Sequence, residues 1–367
     1  MLQMKRKHEL LNFLQEAPKK LNVVVMPDFF LDRIVSLDCS IARFFSLVQT
    51  VADRKGGSID GIVQTDIRGG NAINTASALS ALGVVVKPII CTTKLGLQQI
   101  SFHLARYGVD TSHVKFSTKA SVTTSLEFKS EAGKANVMIR DVGSLADFSP
   151  SNLTNEDYAV VEHADYVCLF NWVGTKKFGT ALAQAVFSRA KAKGKGKTYY
   201  DTADPTPNSA KMPELIDKVL KTSQLDVLSV NENEAISYAT LLDNEISENR
   251  EKLKFEELAI EAARTLAKHL QARIDLHTTR FSATLTPNNE TVVPAFKIQA
   301  LRATGAGDAW NAGNIIGDGN ELSDECRLAL ANAVAACYLA DPYGEHPTRQ
   351  KLANFIRNSS GAHQAPR

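Results

Sequence analysis

From residue 22 to residue 26 the chain is an apolar, β-branched run closed by Pro27, the pattern of a first strand buried on both faces. The period then changes. Ile41, Phe44, Phe45, Val48 and Val51 fall on one side of residues 40–54 behind Ser40, which predicts a capped amphipathic helix. Further on the two periods alternate. Residues 84–91 predict a strand, and Leu97, Ile100 and Leu104 mark a helix ended by Gly108. Residues 121–141 alternate as an antiparallel hairpin with a turn near Gly133. Strands follow at 166–170, 198–201, 226–230 and 274–278, with helices at 180–193 and 255–271, and the chain then passes directly to a glycine-rich loop and helix after residue 302. Such alternation predicts an α/β fold, a mostly parallel sheet covered by helices on both faces. At the ends, residues 5–20 predict a short amphipathic helix through Leu10, Leu11 and Leu14, an appendage to the core, and residues 358–367 predict a flexible tail.

The stretch Arg302-Ala303-Thr304-Gly305-Ala306-Gly307-Asp308-Ala309-Trp310-Asn311-Ala312-Gly313 carries the sharpest chemistry. It reads as a tight loop opening into a helix. Unpaired backbone N–H groups of Gly305, Ala306 and Gly307, with the positive end of the helix dipole, can hold the oxygens of a transferring phosphate. Asp308 then stands in the first turn, where a carboxylate would repel an anion unless it takes a proton from an attacking hydroxyl. An ordinary helix N-cap explains Asp308 as well.

Two further places fit a site at the carboxyl ends of parallel strands. Asp28 and Asp32 follow the first strand, although a turn and a cap need the same residues. Gly69-Gly70-Asn71-Ala72-Ile73-Asn74 leads into a helix with Ala72, Ala76, Leu79 and Leu82 inward, stopped by Gly83. The glycines admit a ligand to the backbone and Asn74 lies one turn inside, although helix packing explains the glycines too.

Composition excludes more than it selects. A net charge of +2 and the absence of a Lys/Arg cluster interleaved with aromatics argue against nucleic acid as a partner. Cys39, Cys91, Cys168, Cys326 and Cys337 show no Cys-x-x-Cys spacing, so neither a disulfide framework nor a zinc site is expected. Charges throughout residues 1–20 argue against a signal peptide, and no stretch is long enough to span a membrane, so a cytoplasmic protein is expected.

Four separated features occur in a fixed order: the strand leading to Asp28 and Asp32, Gly69-Gly70 with Asn74, Asn231-Glu232-Asn233-Glu234, and Gly305-Ala306-Gly307-Asp308. Together they resemble the ribokinase family of carbohydrate and nucleoside kinases, also called the PfkB family, over about residues 22–357. The resemblance implies a ribokinase-like sheet with a small β lid, from segments near 33–68 and 118–142, and an N-terminal extension over 1–21. It implies ATP and Mg2+ as cofactors, with Asp308 as general base and the backbone of 305–307 as anion hole. Asp32, Gly69, Gly70 and Asn74 would hold acceptor hydroxyls, with Asn171 and Trp172 as weaker candidates. Asn231 and Glu234 would act on magnesium through water. The donor base would lie between the loop around Thr279, Arg280, Phe281 and Ser282 and the helix containing Asn332. The helix over 40–54 is expected to shield the lid or to join the partner of a homodimer.

Three departures stand out. Arg302 and Ala303 replace an acid and a threonine usual in the family, which puts activation by potassium in doubt. Only Gly96 remains of a Gly-x-Asp-x-x-Gly pattern, and His277-Thr278-Thr279 replaces a glycine usual in the donor loop. A small-molecule sugar kinase is the first reading. A nucleoside kinase would use Phe29, Phe30 and Trp172 as a shelf for the base, and the altered donor loop leaves ADP open as a donor. Arg302 leaves a catalytically idle binding module as the reading outside enzymes. Arg140, Arg280 and Arg302 fit an acidic acceptor or a plain ion-pair role.

Overall fold

The computed structural model describes residues 4–17, 19–130, 133–302 and 304–358. It opens with α1 (Met4–Gln15), β1 (Asn22–Met26), β2 (Phe30–Leu37), α2 (Ile41–Asp53), β3 (Val63–Gly69), α3 (Asn71–Ala81) and β4 (Val85–Pro88). Next come β5 (Cys91–Thr92), α4 (Lys94–Leu104), β6 (Lys115–Phe116), β7 (Val122–Ser130), β8 (Gly133–Asp141), α5 (Asn155–His163), β9 (Tyr166–Phe170), α6 (Gly179–Lys193) and β10 (Lys197–Asp201). The remainder is α7 (Met212–Leu215), β11 (Val227–Val230), α8 (Glu232–Leu242), α9 (Asn244–Glu248), α10 (Phe255–His269), β12 (Arg273–His277), β13 (Phe281–Thr286), β14 (Asn289–Pro294), α11 (Ala306–Gly319), α12 (Asp324–Leu339) and α13 (Arg349–Asn358).

Eight strands form one sheet in the order β14-β13-β12-β11-β10-β9-β1-β4. From β12 to β4 every pairing is parallel. The two-residue period of β1 feeds two cores. Val24 and Met26 enter the cluster under α5, α6, α8 and α10, whereas Val23 and Val25 enter the one shared by α1, α3, α11, α12 and α13. The order reverses between β1 and β9, so the crevice where open α/β sheets take ligands lies beyond Met26 and Phe170.

The structure departs from the sequence pattern in three places. Residues 84–91 do not stay in one strand. β4 ends at Pro88, and β5 pairs instead with β6 in a two-stranded sheet. Between β12 and the central loop the chain makes an antiparallel hairpin, β13 and β14, that the pattern did not reveal. β13 is buried on nearly every residue, so it lacks the alternation that marks a half-exposed strand. Finally, α1 is no loose appendage. It stops at Gln15, and Leu10, Phe13 and Leu14 join the core beside Leu352, Ala353 and Ile356 of α13. Arg349 caps its last turn by donating to the carbonyls of Phe13, Leu14 and Glu16.

The segments expected to form the lid build one sheet in the order β3-β2-β7-β8. β7 and β8 pair from Val122↔Asp141 to Ser130↔Gly133, and the turn residues 131 and 132 lie outside the described residues, as do 359–367 of the expected tail. α2 starts at the predicted cap, with Ser40 accepting from the Arg43 N–H. It shields one face of the lid. The Phe44 ring meets Phe128 edge-on at 5.7 Å, next to buried Val35 and Leu37. Phe45, 62% exposed, faces away.

Candidate active site

Gly305 precedes α11 in the left-handed region (φ 81°), and the first i→i−4 bond runs from the Ala309 N–H to the Gly305 carbonyl at 3.1 Å. The N–H groups before it are left free by helix geometry. A side chain at Gly305 is barred twice, by φ and by the Tyr338 hydroxyl, which would stand 2.7 Å from its Cβ. Asp308 is not the cap. It lies inside the first turn, 5% exposed, and takes 2.8 Å and 3.0 Å hydrogen bonds from the Asn71 and Asn74 side-chain amides, one on each carboxylate oxygen. Burial pushes its carboxyl well above the usual range, the Asp201 and Asp28 charges add to this, and the two amides oppose it.

Asp28 does cap a helix. Its oxygens accept 2.9 Å bonds from the N–H groups of Asn71 and Ala72, at the start of α3, where Gly70 has no side chain to do so. Gly70 is itself held by space, since its Cβ would lie 2.8 Å from the Phe29 Cα. Asn171, with φ 52°, donates to Asp28 at 2.8 Å and accepts from the Gly174 N–H at 3.0 Å. Its amide thus braces the crevice floor. Trp172, 1% exposed, donates to the Thr180 hydroxyl and is core.

On the lid side, Asp32 of β2 lies over Gly69, where any Cβ would coincide with its carboxylate. One of its oxygens is enclosed without a partner. Burial raises the carboxyl to about 6, against the Thr123 hydrogen bond and the Arg140 charge. Asp32, Thr123 and Arg140 are cross-strand neighbours on β2, β7 and β8, so the three stand in one row.

On the other side of Asp308 is a cavity of about 730 Å³. Asn231, Glu234, Thr279 and Asn332 line it, while Arg280 is ion-paired to Glu256 and Ser282 is buried in β13, neither reaching the lining. The Asn-x-x-Glu stretch is a capping box on α8. Asn231 accepts from the Glu234 N–H at 3.0 Å, and the Glu234 carboxylate accepts from the Asn231 N–H and amide at 3.0 and 2.7 Å. Burial, then the Asp201 charge, hold the Glu234 carboxyl well above its usual range. Asn332 accepts from the Trp310 indole at 2.9 Å and donates to the Val293 and Pro294 carbonyls, tying α12 to α11 and β14. Asp201, Asp204, Glu232, Glu234 and Asp308 all face this space, against the single guanidinium of Arg302.

Sequence reasoning missed Asn71, Asp201 and Tyr338, and marked His277 only as a departure in the donor loop. Asn71 stands beside the glycines with no signal of its own, and Asp201 ends a parallel strand, just as Asp28 follows one. Tyr338 carries no local signal, because only packing brings it to Gly305.

Among the described residues, no helix is long and apolar enough to cross a membrane. No curated protein matches the chain in sequence. In structure it is similar to Arabidopsis thaliana ribokinase complexed with ribose and ATP, at 17% identity over 93% of this chain and 100% of that one, with a TM-score of 0.69. Adenosine kinase from Sinorhizobium meliloti gives 0.66 at 18% identity over 92% and 99%. The nucleoside kinase of Methanocaldococcus jannaschii gives 0.64 at 16% over 93% and 99%. These likenesses speak for the fold. The sequence pattern of the pfkB family carbohydrate kinases matches residues 63–350, which takes in β3, the β7–β8 hairpin, the capping box and the Gly305-Ala306-Gly307-Asp308 loop. With that match over most of its length, the chain belongs to the pfkB family of carbohydrate kinases.

Proposed function

We propose that the chain transfers the γ-phosphate of ATP to a hydroxyl of a sugar or sugar-like molecule, with Asp308 as general base and the backbone of 305–307 as anion hole. Family membership makes it a phosphotransferase acting on a sugar hydroxyl. The observation that carries the finer reading is Asp308 itself. It is a buried carboxylate held from both sides by amides, beside free helix N–H groups, between a cavity large enough for a nucleotide and the Gly70 end of the lid.

Asn71 and Asn74 orient the carboxylate, which takes the proton as the acceptor oxygen bonds to the γ-phosphorus. The bond from that phosphorus to the β–γ bridging oxygen breaks and ADP leaves. The free N–H groups hold the equatorial oxygens meanwhile, so catalysis rests on positioning and charge stabilisation. Asp32, Gly69, Gly70 and Asn74 bind the acceptor hydroxyls, Asn171 supports them from below, and the lid over 33–68 and 118–142 excludes water. Thr279 and Asn332 border the nucleotide. The kinase domain spans 22–357 in a cytoplasmic protein.

The carboxylate-rich cavity repels a bare polyphosphate, so its chemistry fits a donor that arrives with a divalent cation. Among the described residues no group of three His, Cys, Asp or Glu side chains could hold a metal directly. Asn231 and Glu234 would therefore act through water, and the magnesium would supply charge neutralisation on the donor phosphates.

The nucleoside alternative loses its shelf, since Phe29, Phe30 and Trp172 are each at most 2% exposed. The test is phosphate transfer from ATP, and separately ADP, with magnesium, across sugars, polyols, sugar acids and nucleosides, with Asp308→Asn beside the native chain. Turnover that falls about a hundredfold or more in the variant is expected. No turnover with any acceptor while nucleotide still binds would favour the idle binding module.

A further inference from the structure

His277 closes β12 beside the start of α11. Its ring lies against Trp310, with centroids 5.0 Å apart and planes 35° apart, which sets its orientation. It also faces Gly307, where a Cβ would stand 3.2 Å from His277 Cε1. The imidazole and the anion-hole backbone therefore touch with no side chain between them. The ring also borders the cavity that receives Thr278, Thr279 and Gly305.

Its hydrogen bonding is the anomaly. His113 bonds Asp157, His163 and His269 each bond a carbonyl of their own helix, and His346, whose Nε2 is also enclosed without a partner, bonds Ser77 and Arg68 through Nδ1. No partner for either His277 nitrogen occurs among the described residues, and Nε2 is enclosed. A buried polar nitrogen left without a partner costs stability, and such a group in a cleft points to a ligand that completes it.

We propose that His277 is a donor-binding residue whose imidazole hydrogen-bonds the phosphate chain held by the N–H groups of 305–307, so that it governs affinity for the nucleotide's phosphates and not for its base. The proposal rests on the kinase reading of the cavity. Charge supports it. Asp201 at the end of β10, Glu232 on α8 and Asp275 on β12 bear on the ring, and Asp308 and Arg302 border the same space. Burial outweighs the three acids and holds the imidazole below its ordinary range, so the free protein presents a neutral ring with one donor and one acceptor nitrogen. A polyanion against it favours the protonated form, so binding takes up protons and tightens as pH falls.

The experiment is calorimetric titration of the full chain with ATP, ADP, tripolyphosphate and adenosine, each with magnesium, for the native protein, His277→Leu and His277→Asn. His277→Leu is expected to lose about tenfold or more in affinity for ATP and tripolyphosphate, with adenosine unchanged. His277→Asn, which keeps a donor, should recover part of the loss. Proton uptake, read from buffers of different ionisation heat, should accompany ATP binding in the native chain and vanish in His277→Leu. Equal losses for adenosine and ATP would mean that the ring only shapes the pocket, and would overturn the proposal. Unchanged ATP affinity in both variants would overturn it while leaving the kinase reading intact. A native chain that binds neither nucleotide nor tripolyphosphate would overturn both.

Discussion

Asn71 holds Asp308 without belonging to the expected acceptor set, so Asn71→Ala probes the base by itself. The substitution removes the 2.8 Å bond to one carboxylate oxygen. The cap of α3 survives, because the backbone N–H of residue 71 still donates to Asp28 at 2.9 Å. A hydrogen bond to a charged group is worth roughly 1.5–3 kcal/mol, about a ten- to hundredfold preference for the ionised form, so its loss raises the Asp308 carboxyl further above its usual range. The sign follows from which form the amide favours. Asn71 stabilises the ionised carboxylate, so its loss favours the protonated form, and only the ionised form can accept a proton. The acid limb of the pH profile of kcat/KM for the acceptor should therefore move up in pH, with kcat/KM on that limb about ten- to a hundredfold below the native value and rate recovered at high pH. An acid limb that stays in place while the plateau falls would refute the assignment of that limb to Asp308.

Three further outcomes follow from the same geometry. Gly305→Ala puts a side chain at φ 81° and 2.7 Å from the Tyr338 hydroxyl, and should lower kcat by about tenfold or more while the chain still folds; an unchanged kcat would remove 305–307 from the anion hole. Arg302 donates to the Asp341 carbonyl and lies over the Tyr338 ring at 5.3 Å, so a fixed cation already stands beside this loop and activity in potassium and choline salts of equal ionic strength should agree; a clear rise in potassium would contradict this. Asp318 is held below the usual carboxylate range by the Arg273 guanidinium, with Tyr166 and Lys197 adding to it and burial opposing. Its folded value is depressed, so this contribution is present at neutral pH and is lost as pH falls below the ordinary carboxylate value. Asp318→Asn should lower the melting temperature at pH 7 and narrow the difference from the native chain near pH 3; an equal difference at both would count against the ion-pair origin.

The strand and helix periods determined the α/β class, the positions of β1, β9, β10 and α6, and the Ser40 cap of α2, because burial of one or both faces writes a period into local sequence. The order of Gly69-Gly70, Asn231-x-x-Glu234 and Gly305-Ala306-Gly307-Asp308 was enough to indicate the family, since free backbone N–H groups and close approach need glycine at set positions. Tertiary structure alone decided which of two roles each acid plays. Asp28 lies between two strands and Asp308 opens a helix, yet it is Asp28 that caps α3, whereas Asp308 is held by amides from that same helix across the crevice. No local pattern distinguishes them, because the partner residues lie 43 positions away in one case and 237 in the other. The same holds for β13, whose burial on both faces erased its period, and for α1, whose apolar stripe matches a face of α13 at the far end of the chain. Only packing brings His277, Trp310 and Gly307 together, and that contact leaves the imidazole nitrogens without protein partners.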